Sequence, residues 1–167
     1  PERLSTDLSS LNPDEDRLAV VLDFTVRRDG SIFNGDAYRA LVHNKAKLVY
    51  ESVGDWLENK IPLPAAIARV EGLKEQIVLQ NEAAKRLRRF RIAQGAMEFD
   101  TIEASPVMAE GNIVDLTVKK KNQARYLIEN FMVSANSVMV QFLERKGVAY
   151  IQRIVRTPER WDRIAAI

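Results

Sequence analysis

Cysteine is absent from the 167 residues, and histidine occurs once, at His43. A chain without thiols has no disulfide framework and no zinc–thiolate site, which favours a reducing, cytoplasmic setting. With one histidine, no cysteine and no G-x-S-x-G, a triad-type nucleophilic mechanism lacks its parts, and His43 reads as structural. Neither G-x-x-x-x-G-K-[ST] nor G-x-G-x-x-G occurs, which excludes a phosphate-binding loop of those kinds. No apolar run approaches a membrane span and no signal-peptide pattern stands out, so a soluble chain is expected. Internal repeats and low-complexity linkers are missing too.

What is present is apolar substance and unevenly placed charge. Apolar residues make up 46% of the chain, enough for the core of one ordinary domain. The net charge is only +2. That average hides two basic clusters: Lys85, Arg86, Arg88, Arg89 and Arg91 crowd together, and Lys119, Lys120 and Lys121 are consecutive. Each is either a solvated face or a site for nucleic-acid phosphates.

Residues 18–26 (LAVVLDFTV) are apolar and β-branched and run on to Asp29-Gly30, a strong hairpin signal, so a returning strand is expected over 31–42. Residues 45–50 continue extended and switch into a short helix over 51–58, with Tyr50 at the junction. Pro64 suits the first turn of a long helix through Leu73, Ile77 and Leu87 into the basic cluster. After Gly95, strands are expected over 96–100 and 107–119, the latter turned by Glu110-Gly111-Asn112. One more strand is expected over 148–155, and Pro158 opens a final helix. Hairpin strands interleaved with long helices make the fold class α+β.

The chain is organised around residues 119–146. Leu127, Phe131, Ala135, Val138 and Phe142 recur at helical spacing, and Val133 and Val140 widen the apolar face almost to the full circumference. Such a helix is expected to be buried. Glu129 sits within it, and a carboxylate on a mostly apolar helix must be paired, hydrated or used. Periodicity alone points to a salt bridge with a neighbour such as Arg125. Asp14, Glu15 and Asp16, beside Pro13, offer either a cation site or the commoner use of consecutive loop acids, capping and solubility.

Three stretches, LSTDLSSLNPDEDRLAV (4–20), KAKLVYESVGDWLEN (45–59) and ARYLIENFMVSAN (124–136), resemble in order the ribonuclease II/R family, in the latter part of its RNB catalytic domain. Residues 89–99 resemble that family's turn into a strand. The resemblance implies antiparallel hairpin strands packed with long helices, residues 1–167 forming a partial RNB domain. It implies a processive hydrolase that threads single-stranded RNA, 3′ end first, into a basic channel and releases nucleoside 5′-monophosphates. Magnesium is implied as well, its aspartate ligands expected upstream of this segment, and no residue of 1–167 is assigned to it. The implied partners are single-stranded RNA, the remainder of the catalytic domain and flanking RNA-binding domains.

By position, the resemblance assigns Tyr50 and Glu129 to the catalytic site and Phe99 to a terminal base. An aromatic face holds a base without reading sequence, and a carboxylate can fix ribose hydroxyls. Arg86, Arg89, Arg91, Lys119 and Lys121 are expected to hold phosphates. Without the resemblance, Tyr50 and Phe99 read as packing residues. Thr6, Ser9, Asn130 and the Arg153-Ile154-Val155 segment depart from the family pattern and point to a divergent branch. The alternative is a non-catalytic RNA-binding or regulatory relative. The chain begins at Pro1 and stops within an apparent helix, so a piece of a longer protein is expected. By itself it should lack ribonuclease activity, and it should expose apolar surface near 18–26 and 131–142 unless another segment covers it.

Overall fold

The computed structural model describes residues 2–97, 103–109, 111–119, 121–151 and 159–166. The first hairpin follows from its turn. Asp29 Oδ1 accepts from the N–H and the hydroxyl of Ser31, at 2.9 and 2.7 Å, which holds the Asp29 carboxyl below its ordinary range. Gly30 takes φ +89°, where a side chain would be strained. Strand β1 (Asp16–Val26) therefore pairs antiparallel with β2 (Ile32–His43), from Asp16 opposite His43 to Val26 opposite Ile32, with a bulge between Asp23 and Thr25. A second hairpin joins β3 (Glu103–Ala109) to β4 (Asn112–Lys119) through Gly111 at φ +81°.

Among the described residues, a short π-helical turn over Leu4–Leu8 precedes β1, and the α-helices are α1 (Tyr50–Leu57), α2 (Ala65–Ala68), α3 (Leu73–Ala93), α4 (Gln123–Arg145) and α5 (Trp161–Ala165). The single helix expected after Pro64 is two, because Gly72 adopts φ +73° and the chain turns before α3 begins. The strand expected over 96–100 has not begun at Ala96 or Met97: Ala96 is irregular and its N–H donates to Arg91 O at 3.0 Å, closing the end of α3. Val148 likewise donates to Leu143 O at 3.2 Å, and residues 148–151 are irregular, with no strand among them. Helix ends leave carbonyls open, and these segments satisfy them. Residues 98–100 and 152–155 lie outside the described residues.

Val53, Ile67, Ile77, Ala84, Ala124 and Leu127 form a buried cluster between α1, α2, α3 and α4. Further along, α4 lies on the first hairpin. Val138 is 1% exposed, and a Cβ on Gly35 would come within 2.9 Å of its Cγ1. Phe24 and Phe131 hold their ring centroids 6.2 Å apart. The expectation that α4 is buried nearly all round is corrected: Met132 is 62% exposed, and burial follows Ala124, Leu127, Asn130, Ser134 and Val138. Those residues recur every three or four positions and face α1, α3 and β2, so the tertiary neighbours select one side of a helix that is apolar on several. On the first hairpin Leu18 and Leu41 sit opposite each other and are 84% and 66% exposed, the open apolar face expected near 18–26.

Candidate nucleic-acid interface

Tyr50 opens α1 directly after an extended Val49 (φ −114°, ψ 133°). Its position is set from α4. Asn122 caps that helix, its Oδ1 accepting from Arg125 N–H at 3.0 Å, while its Nδ2 donates to Tyr50 O at 2.8 Å. The approach depends on Gly54, where a Cβ would sit 2.3 Å from Asn122 Cγ. At the other end of α1, Glu58 Oε1 accepts from Gln123 N–H at 2.9 Å, and its second oxygen meets Lys60 Nζ at 2.6 Å. Lys60 first, then the Gln123 N–H, holds the Glu58 carboxyl below its ordinary value.

The Arg125 guanidinium lies 5.2 Å from the centroid of the Tyr50 ring, and its Nη2 is 3.3 Å from Glu51 Oε1. Tyr50 remains 43% exposed. Beside it opens a largely apolar cavity of about 270 Å³, lined in part by Leu48, Val49, Ile77, Gln80 and Ile128.

Glu129 lies one helical turn beyond Arg125. Its carboxylate pairs with Lys121 Nζ at 3.1 Å, and the two side chains are 42% and 32% exposed. The Arg125 partner expected for Glu129 is engaged with Glu51, because α1 packs beside the first turn of α4 and offers a carboxylate there. Glu129 is therefore no buried charge. Its neighbour Asn130 is buried instead, 2% exposed, and accepts from Arg91 Nη2 at 3.0 Å and donates to Tyr126 O at 2.7 Å.

The cluster at 85–91 does not act as one patch. At about 100° per residue, its five cations fan around α3. Lys85 and Arg89 are exposed, and Lys85 pairs with Glu82 at 2.8 Å. That contact, with Arg86 and Arg89 nearby, lowers the Glu82 pKa. Arg86 is half-buried, and its backbone carbonyl lies where a Cβ on Gly30 would be, under the hairpin tip. Arg88 and Arg91 face α4: Arg88 lies 4.6 Å from the Tyr126 ring centroid, and Arg91 reaches Asn130. Lys121 Nζ is 5.9 Å from the same Tyr126 ring. Lys119 ends β4, but its side chain, like Phe99, lies outside the described residues.

The carboxylates near the start of the chain are used locally. Asp7 and Glu15 both pair with Arg17, and Asp16 Oδ1 meets His43 Nδ1 at 2.7 Å. Among the described residues, no group of three or more His, Cys, Asp or Glu could hold a metal ion. The described side chains thus offer magnesium no ligand set.

The RNB domain matches residues 1–166. This chain belongs to the RNB domain family. Ribonuclease R of Thermotoga maritima is 30% identical to the RNB chain over 161 residues, 95% of this chain and 22% of that protein. Mycoplasma genitalium RNase R in complex with ribose methylated single-stranded RNA is similar with a TM-score of 0.84 at 26% identity, over 95% of this chain and 24% of its own. The same enzyme in complex with double-stranded RNA gives 0.85 at 25% identity, over 99% and 29%. The RNB chain spans about a fifth of the length of the curated relatives it matches.

Sequence reasoning missed Asn122, Arg125 as a neighbour of Tyr50, and the Arg88–Tyr126 contact. An asparagine just before a helical pattern is a readable cap signal. Nothing local to residues 88, 125 or 126 announces which ring or cation each will meet.

Proposed function

We propose that this chain is part of a 3′→5′ exoribonuclease that processively hydrolyses single-stranded RNA to nucleoside 5′-monophosphates in the cytoplasm. The observation that carries the reading is the α1–α4 junction in a chain of this family: a half-exposed Tyr50 ring stands on Arg125, one helical turn before the accessible carboxylate of Glu129. A ring so placed can stack a base whatever its identity, and the carboxylate can accept hydrogen bonds from ribose hydroxyls. Arg86, Arg89, Lys119 and Lys121 serve the phosphates, and Phe99 supplies a second stacking ring. Arg91, tied to Asn130, braces α3 on α4. Magnesium, when bound, supplies activated water and charge stabilisation at the leaving oxygen. Its ligands, like the flanking RNA-binding domains and the rest of the catalytic domain, would come from polypeptide outside this chain. This chain's own residues hold and orient the RNA.

The test is a 5′-labelled single-stranded RNA incubated with magnesium and the natural polypeptide that carries this chain. The expected result is stepwise shortening from the 3′ end with release of nucleoside 5′-monophosphates. Internal cleavage would overturn the reading, and binding without hydrolysis would establish the non-catalytic alternative.

A further inference from the structure

We infer that Arg125 is a positioning residue for Tyr50, setting the ring for stacking on RNA without itself touching the nucleic acid. The inference rests on Tyr50 being a base platform, as proposed above.

Tyr50 stands at the start of a helix after an extended segment, where an unsupported aromatic ring is free to sample several rotamers. Two groups from the first turn of α4 remove that freedom. Asn122 pins the backbone through Tyr50 O, and the Arg125 guanidinium lies 5.2 Å from the ring centroid. Cation–π attraction favours that placement. The guanidinium is itself steered by Glu51 on the next residue of α1, at 3.3 Å. Arg125 N–H donates to the Asn122 cap, so the residue that holds the ring and the one that holds its backbone are locked together. A ring covered on one side by a cation presents its other face to a base, and its orientation is settled before RNA arrives. Pre-organisation of this kind improves affinity by removing an ordering cost, with no added charge contact.

A positioning role and a phosphate contact predict different numbers. In the natural polypeptide carrying this chain, binding of a single-stranded RNA with a free 3′ end is measured across a salt series for Arg125→Ala, Tyr50→Ala and the double variant. Arg125→Ala should weaken binding by about three- to tenfold. The slope of log affinity against log salt should not change, and the substitution should have little further effect once Tyr50 is alanine. Should Arg125→Ala fail to fold, Arg125→Lys carries the same cycle, because it keeps the charge and stem and loses the planar guanidinium face.

A slope reduced by about one unit would mean that Arg125 contacts a phosphate and would overturn the inference. So would a full loss that persists beside Tyr50→Ala, or a fall in thermal stability with affinity intact. Unchanged binding by Tyr50→Ala alone would instead remove the ring from the site, and the base-platform reading would fail first.

Discussion

Lys121 and Glu129 close a contact of 3.1 Å from the segment before α4 to its second turn, and both ends stay partly open to solvent. A pair so exposed contributes about 0–1 kcal/mol to stability. Glu129→Ala should therefore cost little in urea unfolding. RNA turnover by the natural polypeptide should fall far more, since misplacing the scissile phosphate removes positioning worth several kcal/mol. A stability loss that matches the loss of turnover would make Glu129 a structural residue.

Tyr50→Ala should change the length of the final RNA product, because the grip on the last nucleotides decides when a shortened strand is released. End products resolved on a sequencing gel would show it. Identical lengths for variant and wild type would take Tyr50 out of the site.

The basic residues of α3 should separate into two classes. Arg86→Gln with Arg89→Gln should lower the salt slope of RNA binding by roughly two units, one for each lost phosphate contact. Arg91→Ala should leave that slope alone and cost about 1–3 kcal/mol of stability, because Asn130, 2% exposed, loses the donor to its carbonyl. The reverse pattern would place Arg91 on the RNA.

Glu58 gives a pH signature. Its folded pKa is depressed from the ordinary 4.5, chiefly by Lys60, so its contribution is present above that value and is lost as pH falls through the lowered folded pKa. The difference in melting temperature between wild type and Glu58→Gln should be full near neutrality and shrink in acid. A difference that grows in acid would contradict the assigned contacts.

The 167-residue chain alone should bind RNA without hydrolysing it, since its described carboxylates gather no metal-ligand group. Magnesium-dependent release of nucleoside monophosphates by the purified chain, once contaminating nuclease is excluded, would move the metal ligands to Asp7, Asp14, Asp16 and Glu129.

What the sequence by itself determined is local. Asp29-Gly30 specifies a hairpin because glycine accepts φ +89° and the aspartate bonds two residues on. The spacing of Leu127, Phe131 and Val138 specifies α4, and the stretches around Tyr50 and Glu129 carry the family likeness. Such signals work through backbone dihedrals and neighbours within one turn, so they are written in adjacent residues. Only the tertiary structure decided that Glu129 pairs with Lys121 and not Arg125, that α4 buries one of its apolar sides, and that the cations of α3 fan apart. Asn122 and Tyr50 lie 72 residues apart in the chain, and their hydrogen bond exists only because α1 packs on α4 with Gly54 at the crossing. Partners at that separation are chosen by packing geometry, which no local spacing records.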